Sequence, residues 1–191
     1  MSAMIRTFVA IDLAEGVGRR AGQLIERLRP SGAKVKWVEP EHLHLTIKFL
    51  GDVPTLDTPA VCQAVIDCVA GINAFEMELA GVGAFPSRHR PRVVWLGVVG
   101  GCAQLGALHE ALDQSLRPLG YRGDSRPFAP HLTLGRVREG GPSASRLSEL
   151  LDQERDFAAG TSRVGELLVM ASHLESPGPR YEVMARAPLL S

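Results

Sequence analysis

A four-residue motif occurs twice in this chain, each time inside a segment typical of a β-strand. Residues 42–51 read HLHLTIKFLG and residues 128–136 read FAPHLTLGR. The two motif histidines, His44 and His131, are 131 − 44 = 87 residues apart. Strands in globular proteins are usually about 3–10 residues long. A fold that uses both motifs at one site must therefore bring together two strands from different halves of the chain.

Alternation along each strand predicts which side chains the two motifs present, because successive side chains on a strand point to opposite faces. The first motif is predicted to place four apolar side chains toward the core: Leu43, Leu45, Ile47 and Phe49. Its polar face is predicted to carry His42, His44, Thr46 and Lys48. In the second motif, Leu132 and Leu134 point inward while His131 and Thr133 point outward. Each motif thus presents one imidazole and one hydroxyl, about 6.5–7 Å apart along its strand.

The order of predicted elements favours an α+β fold. Strands are predicted over residues 6–13, 43–50, 75–85, 92–99, 131–137, 163–174 and 180–187, the last two forming a hairpin around Pro177-Gly178-Pro179. Helices are predicted over 17–28 and 59–70, between Gly101 and Pro118, and after a loop at 140–145 to near Asp156. Strands and helices do not alternate regularly, as they would in a parallel sheet. The expected architecture is therefore α+β.

Charge and cysteine content narrow the function classes. The chain has 21 Lys+Arg and 21 Asp+Glu, so its formal net charge is zero. Proteins that grip long duplexes through phosphates carry a basic excess, but a neutral chain can still bind a nucleotide or an RNA end. Its three cysteines show no C-x-x-C spacing, which indicates thiols in a reducing compartment. With no signal peptide and no run of eighteen apolar residues, we expect a cytoplasmic protein without a membrane span or an obligate protein partner.

Two histidines and two threonines on facing strands suit phosphodiester chemistry. Histidine titrates near neutrality, so one imidazole can accept a proton from water while the other donates one to the leaving oxygen. Threonine hydroxyls can hydrogen-bond the non-bridging phosphate oxygens. A strained 2′,3′-cyclic phosphate is a suitable substrate because the ring already holds its leaving oxygen in place.

A metal site is the alternative use of the same residues, with His42, His44 and His131 as ligands. Neither motif contains an acidic residue, and Glu41 is the only obvious second-shell carboxylate nearby. Threonine two residues after each histidine has no role in binding zinc. We therefore predict no metal and no other cofactor.

The chain resembles the 2H phosphoesterase superfamily, which is named for two H-x-[ST]-x motifs, and within it the bacterial RNA 2′,3′-cyclic phosphodiesterase, or 2′-5′ RNA ligase, family. The resemblance extends from RTFVAIDL near the start through W-V-x-P-x-x-L-H-L-T-I-K-F-L-G (37–51) and RPRVVWLGV (90–98). It continues through FAPHLTLGR (128–136) to S-x-L-x-x-x-G-P-x-Y (172–181). It implies that residues 1–191 form one two-lobed, pseudo-symmetric domain with antiparallel sheets lining a central cleft and helices outside.

The same resemblance implies an activity and a set of site residues. The activity is metal-independent hydrolysis of RNA 2′,3′-cyclic phosphate ends, or of small cyclic nucleotides, to 2′-phosphates. His44 would donate the proton, His131 would activate water, and Thr46 and Thr133 would hold the phosphate. Arg136 would contact phosphate or nucleotide, although strict alternation places it on the wrong face unless Gly135 marks a bulge.

Further from the motifs, Phe8 and Tyr181 are candidates to stack on a base.

Two other functions remain open at this point. The reverse reaction would join the cyclic phosphate to a 5′-hydroxyl as a 2′-5′ linkage. A module that binds RNA ends without turnover would use the same cleft.

Overall fold

A computed structural model describes residues 3–121, 123, 127–138, 142–174 and 179–191. Its nine strands are β1 (Met4–Ile11), β2 (Val35–Trp37), β3 (Leu45–Pro54), β4 (Phe75–Ser87), β5 (Arg90–Gly100), β6 (His131–Val137), β7 (Ala158–Val164), β8 (Glu166–Leu174) and β9 (Pro179–Pro188). Its four α-helices are α1 (Glu15–Leu28), α2 (Thr58–Val69), α3 (Cys102–Leu116) and α4 (Pro142–Gln153). No helix among the described residues is long and apolar enough to cross a membrane.

The strands form one curled antiparallel sheet. The order is β7-β4-β5-β6-β3-β1-β8-β9, with β2 added beside β6, and every pairing between these strands is antiparallel. Four strands of this order lie on each side of the β6–β3 boundary, and β2 adds a fifth to the β6 side. The predicted α+β class and the predicted antiparallel, pseudo-symmetric architecture are confirmed. The two sheets expected from the sequence are joined into one.

The helices cover one face of this sheet and leave the other to the motifs. α1 packs against β7 and α4, and α4 packs against β4 and β5. On the other half, α3 packs against β3, and α2 packs against α3, β8 and β9. Apolar stripes such as Val61, Val65 and Val69 on α2 are fully buried beneath the sheet. Burial of this continuous core is the main source of stability.

Several boundaries differ from the sequence-based expectations. The predicted strand over 163–174 is two strands, because β7 ends at Val164 and β8 begins at Glu166. β3 continues through Gly51-Asp52 to Pro54. The predicted loop over 140–145 is wrong from Pro142 onward, where α4 begins. The predicted turn residues Pro177 and Gly178 lie outside the described residues.

A β-bulge in β3 overturns one part of the predicted alternation. Lys48 pairs with Val9 and Thr46 pairs with Ala10, so Ile47 is an extra residue between them. Ile47 and Lys48 both point toward the helices, where Lys48 is only 1% exposed. Phe49 turns to the opposite face, where its ring stacks on Phe8 at 5.8 Å, and it is 44% exposed. The expectation that Lys48 lies on the polar face and Phe49 in the core is therefore wrong, because the inserted residue reverses the faces of Lys48 and Phe49. A second register shift at Leu50 restores the original alternation, and Val53 is buried again.

Candidate active site

The two motifs meet where the halves of the sheet join. Leu45 on β3 pairs with Leu132 on β6, and both side chains are fully buried on the helix face. In a regular antiparallel pair this register places His44 opposite Thr133 and Thr46 opposite His131. All four side chains lie on the face opposite the two leucines. Diagonal neighbours such as the two histidines are about 7–8 Å apart in a regular antiparallel pair, which leaves room for a phosphate between the imidazoles.

The two histidines are oriented in the same way by the backbone. His44 Nδ1 lies 2.8 Å from the carbonyl oxygen of His42, and His131 Nδ1 lies 2.7 Å from the carbonyl oxygen of Ala129. A carbonyl oxygen can only accept, so Nδ1 donates its hydrogen in both bonds. In the neutral imidazole this leaves Nε2 as the nitrogen that can accept a proton. Each histidine thus presents its Nε2 atom to the site, because the hydrogen bond from Nδ1 to the carbonyl two residues earlier fixes the orientation of its ring.

Aromatic side chains enclose His44. The Phe8 ring stacks on it with a centroid distance of 4.9 Å and an interplanar angle of 26°, and Tyr181 meets its edge at 5.3 Å. Burial lowers the pKa of His44 below its usual 6.5, and the nearby His42 acts in the same direction, against the hydrogen bond to the His42 carbonyl and the Asp12 charge. The neutral form is therefore favoured in the unliganded protein.

Phe8 does not offer the open stacking platform expected from the sequence. Its side chain is only 2% exposed. Besides His44, it contacts Phe49 at 5.8 Å and Tyr181 at 5.5 Å between ring centroids. With so little accessible surface, the ring supports His44 from beneath the site surface.

His131 is bordered by a different aromatic pair. Phe85 meets its ring edge-on at 5.0 Å, and Trp95 lies 5.3 Å from Phe85. Trp95 pairs with Gly83 on one side and with Thr133 on the other, so its side chain shares the face of the motif. A Cβ at Gly83 would overlap the Trp95 ring, which shows that the indole lies across the glycine backbone. Trp95 and Phe85 are functional-face residues that the sequence reasoning did not select.

Arg136 reaches the motif face because β6 also contains a bulge. Val94 pairs with Gly135 and Trp95 pairs with Thr133, so Leu134 is the extra residue. The bulge returns Arg136 to the side of His131 and Thr133, as the glycine at 135 had suggested. Gly135 is required there, since an added Cβ would lie 2.7 Å from atoms of both Val35 and Trp37.

Tyr181 lies near positive charges from both halves of the sheet. Burial raises the pKa of the Tyr181 phenol, and the positive charges of Arg136 and Arg6 act in the opposite direction. Both guanidinium groups therefore lie close enough to influence this part of the site. Tyr181 also meets His42 edge-on at 5.2 Å.

Phe49 and Arg6 are the residues that the sequence reasoning missed on this side. The Arg6 guanidinium carbon lies 5.1 Å from the centre of the exposed Phe49 ring, a cation–π contact. Phe49 was assigned to the core because the bulge at Ile47 leaves no local signal in the sequence. The exposed Phe49 ring also stacks on Phe8, the ring that contacts His44, and together with Arg6 it forms a surface suited to a nucleotide.

The described part of the chain does not bring together a set of side chains suited to holding a metal ion. Within residues 3–121, 123, 127–138, 142–174 and 179–191, no group of three His, Cys, Asp or Glu side chains lies close enough together to hold an ion. The residues that the fold does gather are imidazoles, hydroxyls and guanidinium groups. These can transfer protons and bind anions.

Comparison with known proteins identifies the family of this chain. A family model described as the 2′-5′ RNA ligase superfamily matches residues 17–174. Two relatives, both named RNA 2′,3′-cyclic phosphodiesterase, come from Methanothermobacter thermautotrophicus and Thermotoga maritima. They are 37% and 33% identical over 180 residues, which is 94% of this chain and 96% and 93% of theirs.

Solved structures show the same fold. The TT0787 protein of Thermus thermophilus superposes with a TM-score of 0.82 at 27% identity, covering 96% of this chain and 97% of that one. E. coli LigT complexed with 3′-AMP gives a TM-score of 0.76 at 26% identity, covering 98% and 99%. The predicted enzyme class, cyclic phosphodiesterase, is confirmed by these relatives. The chain belongs to the 2′-5′ RNA ligase superfamily, the 2H phosphoesterases that its paired motifs had indicated.

Proposed function

We propose that this protein, acting as a single domain, hydrolyses RNA 2′,3′-cyclic phosphate ends to 2′-phosphate ends without a metal or other cofactor. The observation that carries the proposal is the matched pair of imidazoles, each with Nδ1 bonded to the carbonyl two residues earlier, at 2.8 Å and 2.7 Å. The relatives named RNA 2′,3′-cyclic phosphodiesterase support the substrate. The LigT complex with 3′-AMP supports a nucleotide site in this fold. Three free cysteines support a cytoplasmic location.

The proposed reaction uses one proton transfer at each histidine. His131 Nε2 takes a proton from water as the water oxygen bonds to phosphorus. The bond between phosphorus and the ribose 3′-oxygen breaks, and protonated His44 gives its Nε2 proton to that oxygen. The products are a 2′-phosphate and a 3′-hydroxyl. Family resemblance assigns the two roles, since the similar backbone contacts of the histidines do not distinguish acid from base.

The lowered pKa of His44 places a condition on this mechanism. An acid must be protonated before the leaving oxygen departs, yet burial favours the neutral imidazole. A phosphate bound beside His44 is an opposite charge and raises the pKa of the imidazole. Substrate binding therefore prepares the acid.

Polar groups on the same face complete the phosphate site. The hydroxyls of Thr46 and Thr133 donate to the two non-bridging oxygens. Thr46 does so from the strand opposite His131, and Thr133 from the strand opposite His44. Arg136 adds a guanidinium that can donate in pairs to phosphate. The charge that develops on the phosphoryl oxygens is thus met by donors already in place.

The nucleoside would lie on the His44 side of the site. Phe49 is exposed and carries Arg6 against its ring, while Tyr181 stands nearby. Base–aromatic stacking tolerates any base, as an enzyme of varied RNA ends requires. Phe49 and Tyr181 are the stacking residues in this proposal, and Phe8 supports them.

The test is turnover of a cyclic-phosphate-ended oligoribonucleotide in excess EDTA by wild type, His44→Asn and His131→Asn. Asparagine can still donate to the His42 or Ala129 carbonyl but cannot transfer a proton at Nε2. Loss of one acid or base costs about 10²–10⁴-fold. The exposed His89 on the β4–β5 turn gives a matched control, because His89→Asn should keep wild-type activity.

Each outcome assigns the protein to one class. A 2′-phosphate product that forms in EDTA and disappears in both variants supports the mechanism. Loss of activity on chelation would indicate a metal site instead. A longer chain formed with a 5′-hydroxyl acceptor would indicate ligation, and tight binding without turnover would indicate a binding module.

A further inference from the structure

A group of titratable side chains lies behind the sheet, on the face opposite the active site. We define the buried cluster as Lys48 on β3 with His109 and Asp113 on α3. Lys48 Nζ lies 2.6 Å from Asp113 Oδ1, and His109 Nε2 lies 3.8 Å from Asp113 Oδ2. Lys48 is 1% exposed and His109 is 8% exposed. The proposed reaction uses none of the three directly.

The ion pair fixes the register of β3 at the bulge. A buried ammonium group without an anion beside it is very costly, so Lys48 must face Asp113. If the strand lost its bulge, Lys48 would turn to the active-site face and Phe49 would turn into the core. The Lys48–Asp113 contact therefore favours the arrangement in which Phe49 lies on the active-site face.

His109 holds the same bulge through the backbone. Its Nδ1 lies 2.8 Å from the carbonyl oxygen of Ile47, and because a carbonyl only accepts, Nδ1 donates this hydrogen bond. Ile47 is the extra residue, directly after Thr46. Helix α3 is thus bonded to the backbone between one proposed phosphate ligand and the exposed Phe49 ring.

The flat face of His109 contacts the approach to the second motif. It stacks on Phe128 with a centroid distance of 4.4 Å and an interplanar angle of 5°. Phe128 is followed by Ala129, whose carbonyl oxygen accepts the hydrogen bond from His131 Nδ1 at 2.7 Å. One imidazole therefore touches the segment that holds Thr46 and the segment that orients His131.

We propose that His109 is a positioning residue that sets the two motif strands relative to each other, with Lys48 and Asp113 fixing the register of the first. His109 acts through the Ile47 backbone and through Phe128, and contacts neither substrate nor the catalytic imidazoles. This inference rests on the proposed function, since it concerns the geometry of that site.

Two substitutions separate the two contacts. His109→Asn retains a side-chain N–H at the position of Nδ1 for the Ile47 carbonyl but loses the ring that stacks on Phe128. His109→Phe retains the ring and loses the donor. We expect His109→Asn to lower kcat by about 10–100-fold with little change in KM, because His131 is no longer held in place. We expect His109→Phe to raise KM severalfold, because Thr46 and Phe49 shift.

A matched control removes stability as an explanation. Leu112 lies on the same helix and is fully buried, so Leu112→Ala lowers the melting temperature without touching either contact. All proteins are assayed well below their measured melting temperatures. Adenosine 2′-monophosphate binding, measured by calorimetry, gives a readout that does not need turnover, and it should weaken severalfold in His109→Phe only.

The results distinguish the two proposals. A wild-type protein that binds adenosine 2′-monophosphate but does not open the cyclic phosphate refutes the proposed function, while the binding comparison still tests His109. Wild-type kcat in His109→Asn together with wild-type binding in His109→Phe overturns the positioning role. Equal changes of kcat and KM in Leu112→Ala would also overturn it, since any loss of stability would then suffice.

Discussion

Replacing Phe8 with leucine tests whether this ring supports His44 or contacts the substrate. The side chain is 2% exposed and makes ring contacts with His44, Phe49 and Tyr181 at 4.9, 5.8 and 5.5 Å. Leucine keeps the site apolar but removes all three aromatic contacts. The structure predicts a loss of stability and of catalytic geometry, with substrate affinity nearly unchanged.

The size of the effect follows from the contacts. Aromatic pairs contribute about 0.5–1.5 kcal/mol each beyond the area they bury. Three lost contacts, partly offset by repacking of leucine, give about 2–4 kcal/mol. For a domain of this size, each kcal/mol shifts the melting temperature by about 2–4 °C, so Tm should fall by roughly 5–15 °C. Looser support of His44 should lower kcat by about tenfold.

The assay is thermal unfolding together with steady-state kinetics on a cyclic-phosphate-ended oligoribonucleotide. Phe157→Leu is the matched control, because Phe157 is also buried but contacts Arg20 and Arg27 instead of the motif residues. It should lower Tm and leave kcat and KM unchanged. Phe49→Leu should raise KM with a smaller fall in Tm than Phe8→Leu, because its exposed ring makes only one of the three contacts.

One result would refute this reasoning. If Phe8→Leu raised KM about tenfold at an unchanged Tm, the ring would be contacting the substrate. The base-stacking role expected from the sequence would then be restored. A fall in Tm without any change in kcat would show that His44 does not depend on the ring for its position.

Two further predictions concern titration and close packing. Burial favours neutral His44, so as the pH falls below 6.5 the unfolded chain binds this proton before the folded protein does, and the free energy of unfolding should decrease until the pH reaches the lower folded pKa. NMR titration should show a His44 pKa below 6.5 that rises when inorganic phosphate is added. A His44 pKa at or above 6.5 in the unliganded protein would contradict this prediction. Gly135→Ala would place a Cβ 2.7 Å from atoms of Val35 and Trp37, which should lower the free energy of unfolding by about 1–3 kcal/mol. Kinetics should show a raised KM because Arg136 is displaced. Unchanged Tm and KM would disprove the close approach.

The sequence could predict the fold class and the faces of both motifs. Leu45 and Leu132 are buried, and His44, Thr46, His131 and Thr133 lie on the opposite face, because the alternation is regular on either side of each histidine. The long strands and three of the helices also follow from their apolar periodicity. These features depend on local spacing alone.

The bulges could not be predicted in the same way. Lys48 sits in an apolar run, where alternation sends a charged residue outward, yet it is buried because Asp113 lies opposite. Asp113 is 113 − 48 = 65 residues away on a helix, and no local pattern pairs the two. Gly135 did indicate the second bulge, because a glycine inside a strand often marks one.

Short and weakly patterned strands were also missed. β2 has three residues and is ordered by pairing with β6. β7 reads AAGTSRV, with few strong β-formers, and pairs with β4. In both cases the strand depends on a partner that is distant in the chain, so tertiary context decides its conformation.

The boundary between the two halves of the sheet has a mechanical consequence. Among the described residues, β3 and β6 share the single pairing of Leu45 with Leu132, whereas β1 and β3 share eight paired positions. Amide exchange should therefore be fastest across this boundary and slow within each half. Since one histidine belongs to each half, small rotations about the boundary widen or narrow the gap between the imidazoles. The spacing between the proposed acid and base is thus set by the least bonded part of the sheet, and a ligand that bridges the halves should slow amide exchange at this boundary.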